Sequence, residues 1–333
     1  MNTPTRLLVD DRWSGQHGIA RFSREVLARL GPSGAISAVP LMHPAEPVLL
    51  GLELTRRRPD VYFSPGFTPP LWSPVPFVFT IHDLIHLDVP EESSRGKRLY
   101  YDLVVRPAAR RAARVLTVSE FSRRRIVEWA GVPGKRVVNV GNGVGEAYTP
   151  EGARHEPGYP YLLYVGNRKP HKNVPRLVEA FARLDVPDLR LVLSGGPDDD
   201  TRHLALRLGV LDRVVFAGLI PEVDLPAYYR GAVALAYPTL YEGFGLPALE
   251  AMACGTPVVT SNRTSLPEVV GDAALLVDPE DVEVIVAALT RVVADFALRT
   301  ALASRGLARS RLFSWDRTAA LVARVLEEAS TTP

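Results

Sequence analysis

The chain has 333 residues, more than one ordinary hydrophobic core holds, so two domains are expected. A hydrophobic share of 47%, a charged share of 23% and 39 Lys+Arg against 37 Asp+Glu, a formal net charge of +2, are those of a globular chain with no global pull toward a polyanion. Cys254 is the only cysteine, which excludes an intrachain disulfide and argues against a cysteine-held zinc, and no stretch approaches the ~18 apolar residues of a spanning helix.

Short apolar runs alternate with helical stretches along the chain. Residues 7–9 read as a strand and 19–30 as the helix after it. Further strands are expected at 61–63, 77–81 and 114–118. The last is followed by a helix opening at Ser119, an N-cap type, and reaching Trp129. Residues 137–140 close this half before Gly141-Asn-Gly143. Glu151 to Pro160 carries Gly, Pro and charge without apolar periodicity. Strands resume at 161–165, 189–193, 214–216, 233–236, 257–260 and 274–277, with helices between them such as 174–184 and 246–253. After Asp278-Pro279 the chain is helical, broken at Phe313-Ser-Trp315.

Strands of a few residues alternating with helices imply parallel sheets built from right-handed βαβ units. The expected fold is α/β: two doubly wound, Rossmann-like domains facing across a cleft. They are placed at 1–152 and 161–312, with a linker at 153–160. A C-terminal helix, 313–330, is expected to cross back to the N-terminal domain. Ligands of such sheets bind beyond the carboxyl ends of the strands.

The segment Glu242-Gly-Phe-Gly-Leu-Pro-Ala-Leu-Glu250 lies between a strand and a helix. Its glycines permit a tight turn and close backbone approach. The helix N-terminus behind them suits a phosphate or a sugar hydroxyl, with Pro247 in its first turn. Glu242 can accept hydrogen bonds from a sugar and Glu250 from a pair of ribose hydroxyls. Gly166-Asn-Arg-Lys-Pro-His-Lys172-Asn173 follows another strand and gathers three cations in five residues, a diphosphate clamp by composition. Lys169 and His171 read equally as solvated. Ser194-Gly195-Gly196 ends a third strand, either a plain turn or a close approach to a nucleotide. His82-Asp83 ends a strand in the first half, and Gly15-Gln-His-Gly18 follows the first strand.

The two glutamates around Gly-Phe-Gly-Leu-Pro resemble the signature of family 4 retaining glycosyltransferases of the GT-B fold. Met252-Ala-Cys-Gly-Thr-Pro-Val-Val259 and Leu266-Pro-Glu-Val-Val-Gly-Asp-Ala273 extend the likeness, which is tightest from about Tyr161 to Pro279. The resemblance implies a hexosyltransferase using a nucleotide diphosphate sugar. His82, Lys172, Arg168 and Glu242 are then the candidate catalytic residues. Gly18, Gly166, Ser194, Gly195, Gly218, Leu219, Phe244, Gly245, Leu246 and Glu250 would bind the donor. The segment Phe216-Ala-Gly218-Leu-Ile220 would hold the base through backbone groups. Where the family has Gly-Arg, Asn167 follows the glycine and the arginine stands one residue on. His82-Asp-Leu-Ile-His86 and the 168–173 run are similar to a mannosyltransferase-like branch, so GDP-mannose is the expected donor, ahead of UDP- or dTDP-sugars.

No Asp-x-Asp stands in strand context, so no cofactor and no catalytic metal are expected. Asp10-Asp11 ends the first strand, and Asp198-Asp-Asp200 reads as a solvated loop. Residues 95–125 are locally basic, facing only Asp102 and Glu120 within that span, with Leu99, Tyr100, Tyr101 and Leu103 nearby. This is either a solvated helix face or a weak contact with anionic lipid. Nucleic acid is not an expected partner, because no aromatic stacking platform is interleaved with the cations. A cytoplasmic protein is expected, at most peripheral to the inner face of a membrane. The acceptor is left open. So are a non-catalytic nucleotide-sugar-binding protein, and a phosphorylase or epimerase on the same scaffold.

Overall fold

The computed structural model describes residues 6–15, 18–31, 34–36 and 40–331. The chain divides into two compact units. One runs to Gly143 and takes the chain up again from Ser314; the other is Val144–Phe313.

In the first unit, β1 (Leu7–Val9), β2 (Gly34–Ala35), β3 (Val61–Ser64), β4 (Phe77–Thr80), β5 (Arg114–Thr117) and β6 (Val137–Asn139) form one parallel sheet in the order β2-β1-β3-β4-β5-β6. In the second, β7 (Tyr161–Tyr164), β8 (Arg190–Leu193), β9 (Val214–Phe216), β10 (Ala234–Tyr237), β11 (Val258–Ser261) and β12 (Leu275–Val277) form a parallel sheet ordered β12-β11-β10-β7-β8-β9. Every residue of β3, β4, β7, β10 and β11 is buried. Such runs without alternation are what helices on both faces of a parallel sheet require. In the second sheet the chain leaves β7 outward through β8 and β9, then returns to lay β10 on the other side of β7. The strand order reverses between β7 and β10, the position at which open parallel sheets bind their ligands.

The divide after Gly143 precedes the segment expected as a linker. Gly, Pro and charge do not leave that segment loose. Arg230 donates to the carbonyls of Thr149 (3.1 Å) and Ala153 (2.7 Å), and His155 stacks on Tyr228 with ring centroids 4.0 Å apart. The segment is thus fastened to the second unit. The final helix, Trp315–Thr331, packs on the helix Gly18–Leu30 and on β3, β4 and β5. Trp315 is buried with its ring 6.3 Å from that of Phe22. A Cβ on Gly143 would stand 2.1 Å from the Trp315 backbone nitrogen, so only glycine lets the two stretches of chain pass. Sequence periodicity did not show β2, the helix Glu46–Arg57, or the continuous helical run from Arg95 to Arg111, whose middle turn, Tyr101–Val105, is a π-helix.

Candidate active site

Lys172 and Glu242 follow β7 and β10, the two strands of the reversal, and the fold brings them together. Lys172 Nζ lies 2.6 Å from Glu242 Oε1 and 3.2 Å from the hydroxyl of Tyr237, the last residue of β10. That hydroxyl donates to the same Oε1 at 2.7 Å. Burial, reinforced by the Glu242 charge, holds the Tyr237 phenol well above its ordinary value, so it stays a neutral donor. The Lys172 and Glu242 side chains are only 14% and 11% exposed, a setting where such a pair is costly unless its remaining valences are met. The ammonium has three donors. Two are engaged by Glu242 and Tyr237; among the described residues the third meets no acceptor.

The backbone holds these groups in place. Asn173 is buried in a left-handed conformation (φ 59°, ψ 30°), which asparagine tolerates better than most residues. Its side-chain amide donates to Pro238 O at 2.8 Å and to Pro279 O at 2.6 Å, tying together the chain after β7, β10 and β12. Leu240 N donates to His171 O at 2.7 Å, a second tie between the lysine and glutamate loops. Beyond Glu242, the Ser265 hydroxyl donates to the carbonyls of Glu242 (2.9 Å) and Phe244 (3.0 Å). Gly245 then opens the helix Leu246–Ala253 at φ 102°, and a Cβ there would meet Leu266 Cδ2 at 2.5 Å. Leu246 N–H has no carbonyl one turn earlier within its helix and is available to an anion. Phe244 is buried against Phe313, with ring centroids 5.8 Å apart. Glu250 is buried too, and its Oε2 accepts from the buried Tyr229 hydroxyl at 2.9 Å. One carboxylate oxygen of the expected ribose ligand is therefore committed inside the unit.

Arg168 lies apart from this cluster, toward β8 and β9. Its guanidinium carbon is 5.5 Å from the centroid of the Tyr164 ring and 5.9 Å from that of Phe216. Burial presses it down from its ordinary value, against the raising pull of Tyr164 and Asp198. Asp198 Oδ2 is 3.3 Å from Arg168 Nε. This corrects the reading of Asp198 as a solvated loop residue: it is half-buried, and its Oδ1 accepts from Thr201 N at 2.8 Å to cap the helix Asp199–Arg207. Neighbouring Ser194 spends its hydroxyl on the loop, accepting from Gly166 N at 2.9 Å. Gly195 N donates to Gly218 O at 2.7 Å, bridging the ends of β8 and β9, and Leu219 stands 76% exposed beyond.

Gly18 and His82 belong to the first unit. Gly18 is the first residue of the helix Gly18–Leu30. His82 Nε2 is 2.9 Å from Pro65 O, and its ring meets Phe22 edge-on at 5.0 Å. Asp10 is buried and bound by Arg12 (2.7 and 2.8 Å) and Ser64 (3.1 Å), an internal ion pair rather than an open ligand. The basic segment is less one-signed than its own sequence shows. Arg123 pairs with Glu120, and Arg125 with Asp88 and Glu128, both outside the segment.

Two six-stranded parallel sheets with these flanking helices make the fold that of GT-B glycosyltransferases. The model for glycosyl transferases group 1 matches residues 149–309, and that for glycosyltransferase family 4 matches 11–148. The O-antigen chain mannosyltransferase B of Escherichia coli is 36% identical over 254 residues, covering 72% of this chain and 67% of its own. A serotype-specific mannosyltransferase of Escherichia coli is 29% identical over 264 residues, covering 73% of this chain but only 32% of its own length. Among solved structures, Anabaena HepE in complex with UDP and glucose superposes with a TM-score of 0.76 at 20% identity, covering 97% of this chain and 99% of that one.

The chain belongs to the group 1, family 4 glycosyltransferases, and it is a glycosyltransferase with mannosyltransferases among its relatives.

Sequence reasoning missed Tyr237 and gave Asn173 no role. Tyr237 looks like any aromatic strand residue, and only its place five residues before Glu242 hints at a shared site. Asn173 carried a clearer signal, a turn-forming residue directly after the lysine and before a helix.

Proposed function

We propose that the protein moves a hexose, with mannose favoured, from a nucleoside diphosphate sugar to an acceptor hydroxyl, with retention of configuration and without a bound metal. The observation that carries this reading is the Lys172–Glu242–Tyr237 cluster at the strand-order reversal. As the bond from the anomeric carbon to the diphosphate breaks, negative charge grows on the departing oxygens. The spare Lys172 donor and the helix amides at Leu246 are suited to that charge, and being held beforehand they cost no reorganisation at the moment of reaction. Glu242, fixed by two donors on Oε1, keeps its second oxygen for sugar hydroxyls. The new bond from the acceptor oxygen forms on the same face of the sugar, and the acceptor proton passes to the leaving phosphate. His82 remains a candidate contact to the transferred sugar on the family likeness alone. The complex of HepE with UDP and glucose supports a nucleotide-sugar donor by likeness of fold, and the mannosyltransferase relatives support the sugar.

Calorimetry against GDP, UDP, dTDP and ADP, with and without EDTA, tests the reading. Tight binding of one diphosphate, unchanged by EDTA, supports it; binding that EDTA abolishes removes the metal-free mechanism. Binding with no release of nucleoside diphosphate from any matching sugar donor, across saccharide and lipid acceptors, favours a non-catalytic binder. Phosphate-dependent release of sugar phosphate would favour a phosphorylase.

A membrane-surface contact is a second part of the proposal. Among the described residues no helix is long and apolar enough to cross a membrane. Leu99 (58%) and Leu103 (62%) stand exposed on one helical run beside exposed Arg95, Lys97, Arg98, Arg110 and Arg111. Apolar anchors set among cations suit an anionic lipid surface. Flotation with phosphatidylglycerol vesicles, lost in the Leu99→Glu/Leu103→Glu variant and with phosphatidylcholine, is the expected result. Equal flotation of the variant would remove this contact.

A further inference from the structure

Arg168 and Asp198 stand side by side with mismatched valences. Nε, Nη1 and Nη2 of Arg168 are all buried without a hydrogen-bond partner, and so is Oδ2 of Asp198, because their 3.3 Å approach lacks hydrogen-bond geometry. A buried guanidinium and carboxylate left in this state are costly, and native proteins tolerate such groups where a ligand completes them. The pair offers a row of donors next to an acceptor. A phosphate would satisfy the first and be repelled by the second. A flat group with a carbonyl beside an N–H satisfies both.

The surroundings fit a flat ligand. The guanidinium lies over the Tyr164 and Phe216 rings. The bridged glycines Gly195 and Gly218 both have positive φ (90° and 69°). Arg168 Nη2 lies 3.9 Å from where a Cβ on Gly195 would stand, and a Cβ on Gly196 or Gly218 would enter open space. This place is at the ends of β8 and β9, while Lys172 and Glu242 are at β7 and β10. A nucleotide bound by its phosphates at the reversal would therefore lay its base toward β9.

We infer that Arg168 and Asp198 read the donor's nucleobase, and that the base they fit carries a lactam edge, a carbonyl beside a ring N–H. Guanine, uracil and thymine carry one; adenine and cytosine do not. Arg168 is then a specificity-determining residue rather than a phosphate clamp. The inference rests on the nucleoside diphosphate donor proposed above.

The test is calorimetry of GDP, UDP, dTDP, CDP and ADP with the full chain and with Arg168→Leu, Asp198→Asn and Lys172→Ala. The unmodified protein is expected to bind at least one lactam-base diphosphate roughly tenfold or more tighter than ADP and CDP, the scale of one good base contact. Arg168→Leu and Asp198→Asn should shrink that preference to within about threefold while leaving ADP affinity in place. Lys172→Ala should weaken all five alike. Asparagine still caps a helix, so Asp198→Asn keeps the fold. A uniform loss across all five in Arg168→Leu would overturn the inference, as would a preference that survives both substitutions, a preference for ADP or CDP, or no preference in the unmodified protein. Failure of the unmodified protein to bind any of the five would instead sink the donor reading, and the base reader with it.

Discussion

The loop from Gly166 to Asn173 carries two cations into opposite surroundings. Lys172 arrives at a site already built: a carboxylate at 2.6 Å, a phenol at 3.2 Å, and a backbone fastened by Asn173 to two other loops. Arg168, four residues earlier, arrives at a site that is shaped but unfinished, with two aromatic rings, a bridged pair of glycines and a carboxylate that it does not properly bond. The first arrangement suits chemistry, where groups must be held before the reaction begins. The second suits selection, where groups wait for the partner that matches them. One strand end would thus contact both ends of the proposed donor.

The rigid Lys172 side has the most to lose. Lys172→Ala and Glu242→Ala should each lower kcat for nucleoside diphosphate release by about 10²–10³-fold, the usual cost of removing a preorganised charge-stabilising group. The double variant should be little worse than the poorer single one, since the two act as a unit. Additive losses would mean that they act separately. Circular dichroism should be unchanged in all three.

Asn173→Ala loses both side-chain bonds and places an unsuited residue at φ 59°, so it should cost about 3 kcal/mol in urea unfolding. Asn173→Gly, which accepts that φ freely, should recover about 1 kcal/mol of it. Identical midpoints for the two would show that the backbone there is relaxed. Tyr237→Phe keeps the ring and removes only the hydroxyl. Hydrogen bonds to charged groups are worth about 1.5–3 kcal/mol, so kcat should fall roughly tenfold. KM should barely move while Tm falls by several degrees, and a change in KM alone would place Tyr237 in binding instead. Ser194→Ala, which frees the Gly166 amide on the Arg168 side, is the mildest change. It should cost about 1 kcal/mol of stability, read as a small drop in Tm, with kcat retained.

Much of this fold and site is legible in the sequence, and the reason is local. Among the described residues, eleven of the twelve strands announce themselves as apolar runs, and the Glu242–Glu250 and Gly166–Asn173 segments sit where strands end. What stayed hidden depends on neighbours distant in sequence. The Asp198 carboxylate looks solvated until β7 delivers Arg168 beside it. The acidic partners of Arg125 lie on either side of the basic run rather than within it. Glu250 looks like an open acid until Tyr229, from the preceding helix, takes one of its oxygens. The two-residue β2 is too short to carry a pattern of its own.

The first unit is sewn from two stretches of chain with the whole second unit between them. On the ribosome, Phe22 and the faces of β3 to β5 must therefore wait for the helix Trp315–Thr331 until everything from Val144 to Phe313 has been translated. At ordinary elongation speeds that delay is roughly 10–30 s. The second unit, contiguous in sequence, can mature while its elder remains unsealed. A ribosome stalling late in the message would leave a chain with a finished second unit and an exposed apolar seam on the first. Such a chain is a natural client for chaperones.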